Sequence, residues 1–142
     1  MYKHILFPVD LGQQASWRAA LPVAVNLARQ FEAKLHVLAV VPDFGMSIVG
    51  QFFPKDFEKK ALEATNKELH AFVDREIPQD VPVQHIVTDG TVYEQILQLA
   101  EKLKIDLIVI AAHRPELKDY LLGPNAARVV RHANCSVLVV RD

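Results

Sequence analysis

Leu107-Ile108-Val109-Ile110-Ala111 is an unbroken apolar run, entered from Asp106 and left through Ala112-His113-Arg114-Pro115. A strand that never alternates with polar residues has no face to give to water. It must be covered on both sides, as in the middle of a parallel sheet. Runs of the same kind recur at 5–9, 35–41 and 137–140. A weaker one lies at 83–87, where Gln84 and His85 interrupt the pattern. That polarity suits an edge strand.

Between these runs the period lengthens to that of a helix. Trp17, Leu21, Ala24, Leu27 and Phe31 make one apolar stripe; Pro22 inside it predicts a kink or a late helix start. Phe57, Ala61, Ala64, Leu69, Phe72 and Val73 make a second, closed by Pro78. A third, Val92, Ile96, Leu99, Ala100 and Leu103, is entered through Gly90-Thr91, with Thr91 able to cap. Residues 125–132 form a short fourth helix behind Gly123-Pro124, with Arg131 and His132 as cations in its last turn.

Strands alternating with helices imply right-handed crossovers. The expected fold is one doubly wound α/β domain over residues 1–142, with helices on both faces of a five-stranded parallel sheet. An edge-like third strand and a very apolar fourth give the order 3-2-1-4-5. The first and fourth strands are then neighbours whose chains leave in opposite directions, and ligands bind beyond the carboxyl ends at such a point. Residues 10–13 and 111–125 are therefore the place for a site.

Composition narrows the function. A net charge of −1, with no basic run longer than Lys59-Lys60, argues against a nucleic-acid surface. No apolar stretch is long enough to span a membrane, and Met1 to Asp10 does not read as a signal peptide. The single Cys135 can make no intrachain disulfide and reads as a small buried residue, so a reducing, cytoplasmic setting is expected. His4, His36, His70 and His85 show no zinc spacing with one another or with Cys135. No G-x-S-x-G, GK[ST] or paired carboxylates appear, so these residues offer little from which to assemble an efficient hydrolase. The stretch 43–55, rich in Gly, Pro and Phe, is either a lid or partner surface or a plain surface loop.

Three segments carry a family resemblance. They are residues 2–10 (Tyr2-Lys3-His4-Ile5-Leu6-Phe7-Pro8-Val9-Asp10), residues 106–114, and residues 121–141 from Leu121-Leu122-Gly123-Pro124-Asn125-Ala126 to the last apolar strand. Together they resemble the universal stress proteins over essentially the whole chain. His113-Arg114-Pro115 and Tyr120-Leu121-Leu122-Gly123 are most similar to the F and G branch.

The resemblance implies a dimeric regulatory or binding module for ATP or AMP, with or without magnesium. It implies that Pro8, Val9 and Asp10 line the adenine and ribose end and that Val40 offers backbone groups to the base. Ile110, Ala111, Ala112, His113, Arg114, Gly123, Pro124, Asn125 and Ala126 would complete the nucleotide site, and Asp10 could hold the divalent ion. Val137, Leu138, Val139 and Val140 would pair across a two-fold axis in a homodimer, or in a tetramer built from it. An unidentified protein partner is also implied.

The family's loop reads Gly, two residues, Gly, nine residues, then Gly-Ser or Gly-Thr. Here Ala111 and Arg114 take the first two glycine positions, Gly123 falls one residue early, and Pro124 replaces the hydroxyl residue. Amides at a helix start reached through Gly make an anion site, but Pro124 donates nothing. Each lost charge-assisted bond costs about 1.5–3 kcal/mol; Arg114 and Asn125 could recover part of it. Weakened binding is expected. Two alternatives stay open: an interaction module whose nucleotide site has decayed, and a slow ATPase or autophosphorylating protein using Asp10 and His113. For Asp10 the bland reading is a helix N-cap; for His113 it is a loop histidine bonded to backbone.

Overall fold

Strand β1 (His4–Pro8) pairs in parallel with β2 (Lys34–Val41) on one side and β4 (Leu107–Ala111) on the other. β3 (Val83–Asp89) and β5 (Ser136–Val140) form the edges, so the sheet has five strands in the order β3-β2-β1-β4-β5. The computed structural model describes residues 1–41, 56–112 and 124–141. The fold and strand order are those expected from the sequence.

Alternation along each strand divides the interior in two. Ile5, Phe7, Leu35, Val37, Leu107 and Val109 point to one face, where helices α1 (Ala20–Phe31) and α2 (Phe57–Glu76) cover them. Leu6, Leu38, Ile108 and Ile110 point to the other, under α3 (Val92–Lys102) and α4 (Pro124–His132). The central strands are apolar at nearly every position because both sets are buried, with His36 of β2 the buried polar exception. β3, which has only one strand neighbour, is half-buried along its whole length.

Local chemistry fixes the helix ends. α1 starts late, at Ala20, so Pro22 lies in the first turn, where its missing N–H leaves no gap in the ladder. Trp17 therefore falls outside the helix, yet still packs edge-on against Phe72 of α2, with ring centroids 5.2 Å apart. The second stripe is less buried than its spacing suggested. Leu69, Phe72 and Val73 of its carboxyl half join the buried cluster, whereas Ala64 is exposed. Thr91 stands at the N-cap of α3 in extended conformation, but its hydroxyl makes no capping bond. α4 begins on Pro124 and ends on Arg131 and His132, as expected.

At the amino end of the sheet, the Asp106 carboxylate accepts the N–H groups of Lys3 (2.9 Å) and His4 (3.1 Å). That ties the start of β1 to the start of β4. Arg29 of α1 makes a two-point ion pair with Asp80 at 3.0 and 2.8 Å, which holds the Asp80 carboxylate below its usual range.

Ile108 is fully buried at the centre of this arrangement. Ile108→Ala is expected to lower stability by about 2–5 kcal/mol, whereas Val130→Ala, on the exposed side of α4, should stay within about 0.5 kcal/mol of the parent. Urea unfolding followed by Trp17 fluorescence checks both.

Candidate functional site

β1 and β4 are neighbours, and the chain leaves them toward opposite faces, so the switch point lies beyond Pro8 and Ala111. Pro8 ends β1, Val9 is buried just past it, and Asp10 is exposed at the tip. Val9 still donates to the Leu38 carbonyl of β2 at 2.8 Å, and the strand then turns away.

That turn is built by Asp10 and Ser16. Asp10 Oδ1 accepts the Gly12 N–H at 3.0 Å, and the Asp10 carbonyl accepts the Gln13 N–H at 3.0 Å. The Ser16 hydroxyl accepts the Asp10 N–H at 2.9 Å and lies 2.9 and 2.8 Å from the carbonyls of Asp10 and Gln13, giving its proton to one at a time. Asp10 is therefore no helix N-cap: Gln13 precedes the short 3-10 turn and Ala19 precedes α1. Its side chain closes a turn on itself and stays exposed.

Val40 lies one residue before the end of β2. Leu38 gives its carbonyl to Val9 on the β1 side, and Val41 gives its own to Gly90 on the β3 side, both in the plane of the sheet. Alternation turns the amide and carbonyl of Val40 to the β1 side, where β1 has already ended. On the α3/α4 face, Val40 packs against the same apolar cluster as Ile110 and Ala126. Ala111 ends β4, and Ala112 is buried with its N–H on the Val140 carbonyl at 2.9 Å, so that amide is already used. Asn125 and Ala126 lie in the first turn of α4, which runs against the strands and so starts at their carboxyl end. His113, Arg114, Gly123 and the stretch 43–55 lie outside the described residues.

Among the described residues no group of three His, Cys, Asp or Glu is arranged to hold a metal ion. A cleft of about 150 Å³ lies at the opposite end of the sheet, between the carboxyl ends of α3 and α4, and includes Ala100, Glu101, Ile105, His132 and Cys135. Burial, aided by the Asp106 carboxylate, pushes the Cys135 thiol up, which makes it a poor nucleophile. Sequence reasoning passed over two buried polar atoms. His85 Nε2 and Thr88 Oγ1, both on β3, are buried without a hydrogen-bond partner. Interruption of the apolar run at 84–85 was the one signal of them.

The family model described as "Universal stress protein family" matches residues 1–141. Universal stress protein G of Shigella flexneri is 33% identical over 143 residues, covering 99% of this chain and 100% of that protein. Universal stress protein A homolog 1 of Coxiella burnetii is 31% identical over 146 residues, covering 98% and 96%. Among solved structures, protein MJ0577 superposes with a TM-score of 0.72 at 28% identity, covering 100% of this chain and 97% of that one. UspA of Lactobacillus plantarum gives 0.71 at 27%, covering 99% and 98%. A universal stress protein in complex with cAMP shares the fold, with a TM-score of 0.62 at 22% identity and coverage of 99% and 97%.

The turn at Asp10 can be separated from any ligand role by substitution. Asp10→Asn keeps an acceptor for the Gly12 N–H and should change stability by no more than about 0.5 kcal/mol. Asp10→Ala removes that acceptor and should cost about 0.5–1.5 kcal/mol. Paired thermal melts of the two variants check this.

Proposed function

We propose that this chain, which belongs to the universal stress protein family, binds an adenine nucleotide (ATP or AMP) at the carboxyl ends of β1, β2 and β4 and acts as a dimeric regulatory module. One observation carries most of the weight. The backbone of Val40 is turned to the β1 side beyond the last β1 pairing, at the same end of the sheet as the exposed Asp10. An amide and a carbonyl side by side suit the edge of a purine, and a carboxylate suits a ribose hydroxyl or a divalent ion carried by the phosphates. Amides in the first turn of α4 suit the phosphates, with Asn125 and Ala126 as donors and Pro124 contributing none. Ile110, Ala111 and Ala112 would wall the pocket, and His113, Arg114 and Gly123 belong to the same reading by their place in the sequence. A cytoplasmic location belongs to it as well. On fold alone, the comparison with a relative crystallised with cAMP points the same way.

Regulation requires the nucleotide to bind one conformation better than another. A second reading, an interaction module with a decayed site, is favoured by Ala111 and Pro124, where the nucleotide-binding pattern has Gly and a hydroxyl residue.

The dimer is supported by the free edge of β5. Leu138 is 37% exposed there, and a half-covered apolar edge strand invites pairing with a second copy. Val137 and Val139 pack against the α3/α4 cluster and Val140 against the α1/α2 cluster, so Leu138 is the better probe of the interface.

Denaturing the purified protein and identifying the released small molecule by absorbance and mass should yield an adenine nucleotide; alternatively, calorimetry with millimolar ATP and magnesium should give binding heat. An empty site with no heat supports the decayed-site reading instead. Asp10→Asn should weaken binding by about tenfold or more while leaving the fold intact. Separately, Leu138→Asp is expected to turn a dimer into a monomer on sizing chromatography, and an unchanged elution volume would remove the β5 interface.

A further inference from the structure

His4, His36, His70 and His85 pair off around β2 and β3, one pair on each face of the sheet. On the α3/α4 face, His36 is 3% exposed. Its Nδ1 lies 2.6 Å from Oε1 of Gln84, and an amide oxygen only accepts, so Nδ1 carries the proton. In the neutral ring Nε2 is then a lone pair, and its 3.1 Å contact with His4 Nδ1 is a hydrogen bond donated by His4. A proton on His36 Nε2 would set two N–H groups against each other at that distance. His4 would have to change tautomer to relieve them.

On the α1/α2 face, His70 of α2 stacks on His85 of β3, with ring centroids 3.7 Å apart and planes 10° from parallel. His85 Nε2 is buried with no partner, so a charged His85 would hold an N–H with no acceptor. Gln84 and His85 are consecutive. The two histidine contacts therefore grip the same stretch of the edge strand from opposite sides.

Few neighbours offset a positive charge at either ring. His36 bonds Gln84, which favours a charge, and meets His4 on β1 and Lys34 on its own strand, both of which oppose it. His85 meets His70, which opposes a charge, and Asp74, which favours it, both from α2. Glu94, Glu101 and Lys102 of α3, and Arg128 and Arg131 of α4, are exposed, as is Lys3 beside β1.

We propose that α2 and the β2–β3 half of the sheet form an acid-sensitive latch, held by neutral His36 against His4 of β1 and by neutral His85 against His70 of α2, and loosened when these rings take up protons. The seam of β1 with β4, and β5 beyond it, carry none of these contacts apart from His4 and stay in place. The direction is supported by desolvation, which lowers the proton affinity of both rings below the ordinary histidine value. A depressed folded value means that the unfolded chain binds more protons in acid. The stabilisation is complete above about pH 6.5 and is lost as pH falls from there through the lower values of the folded rings.

Amide exchange by mass spectrometry, at about pH 7.5 and about pH 5.5 and corrected for the intrinsic rate, tests the latch. Peptides from α2, β2 and β3 should lose protection relative to β4 and β5, by up to about tenfold at about pH 5.5 for each depressed ring. Equal changes across the sheet would overturn the proposal. His85→Phe keeps a flat partner for His70 that cannot charge, and Gln84→Glu gives the His36 Nδ1–H a carboxylate that tolerates a charged ring. Both should reduce the acid loss, and Gln84→Glu should also move the His36 ring titration, followed by NMR, to higher pH. If both variants match the parent in acid, or if both parent rings titrate at or above about pH 6.5, the latch is disproved.

Discussion

The seam between β1 and β4 is the constraint on which the molecule depends. Ile5 faces Leu107 and Leu6 faces Ile108 across it, and these side chains feed both apolar clusters at once. Backbone groups buried this deeply need partners, so parallel pairing is the condition under which so much apolar surface can leave water. Asp106 pins the amino end of the seam through two backbone N–H groups. Among the described residues no such bond joins the two strands at their carboxyl ends. There the chains part, to α1 on one face and toward α4 on the other, and the proposed nucleotide site lies at that end.

The candidate site follows from that parting. In the proposed site, the amide and carbonyl of Val40 face the side where β1 has ended, and the first-turn amides of α4 face the same end of the sheet. Asp10 adds charge at the same end and is held by its own turn through Gly12 and Ser16. A family built on such a frame can alter its ligand by changing a few loop residues while the sheet stays fixed.

Much of this was legible in the sequence because desolvation writes directly into the residue pattern. Apolar runs marked the strands of the sheet, and Gln84-His85 marked one of its edges; the observed order agrees with both. Pro22 announced the late start of α1. What the residues did not reveal depends on register. Ala64 has helical spacing but is exposed, and Thr91 has a capping side chain that makes no bond. Asp10 could have capped a helix, and only the fold shows its turn. The histidine pairs were invisible for the same reason. His4 and His36 are 32 positions apart, His36 and Gln84 are 48 apart, and nothing in the spacing says that β1, β2 and β3 bring them into line.

The seam also sets an order of events during synthesis. His4 and Asp106, which meet across it, are 102 positions apart in the chain. As the protein leaves the ribosome, β1 can join β2, and β2 can join β3, long before β4 exists. Until then β1 is itself an exposed apolar edge, with half of its main-chain groups unpaired. The nascent half-sheet is thus most prone to aggregation along the line that later becomes its most protected interior, and chaperone contact there is most valuable before residue 111 emerges.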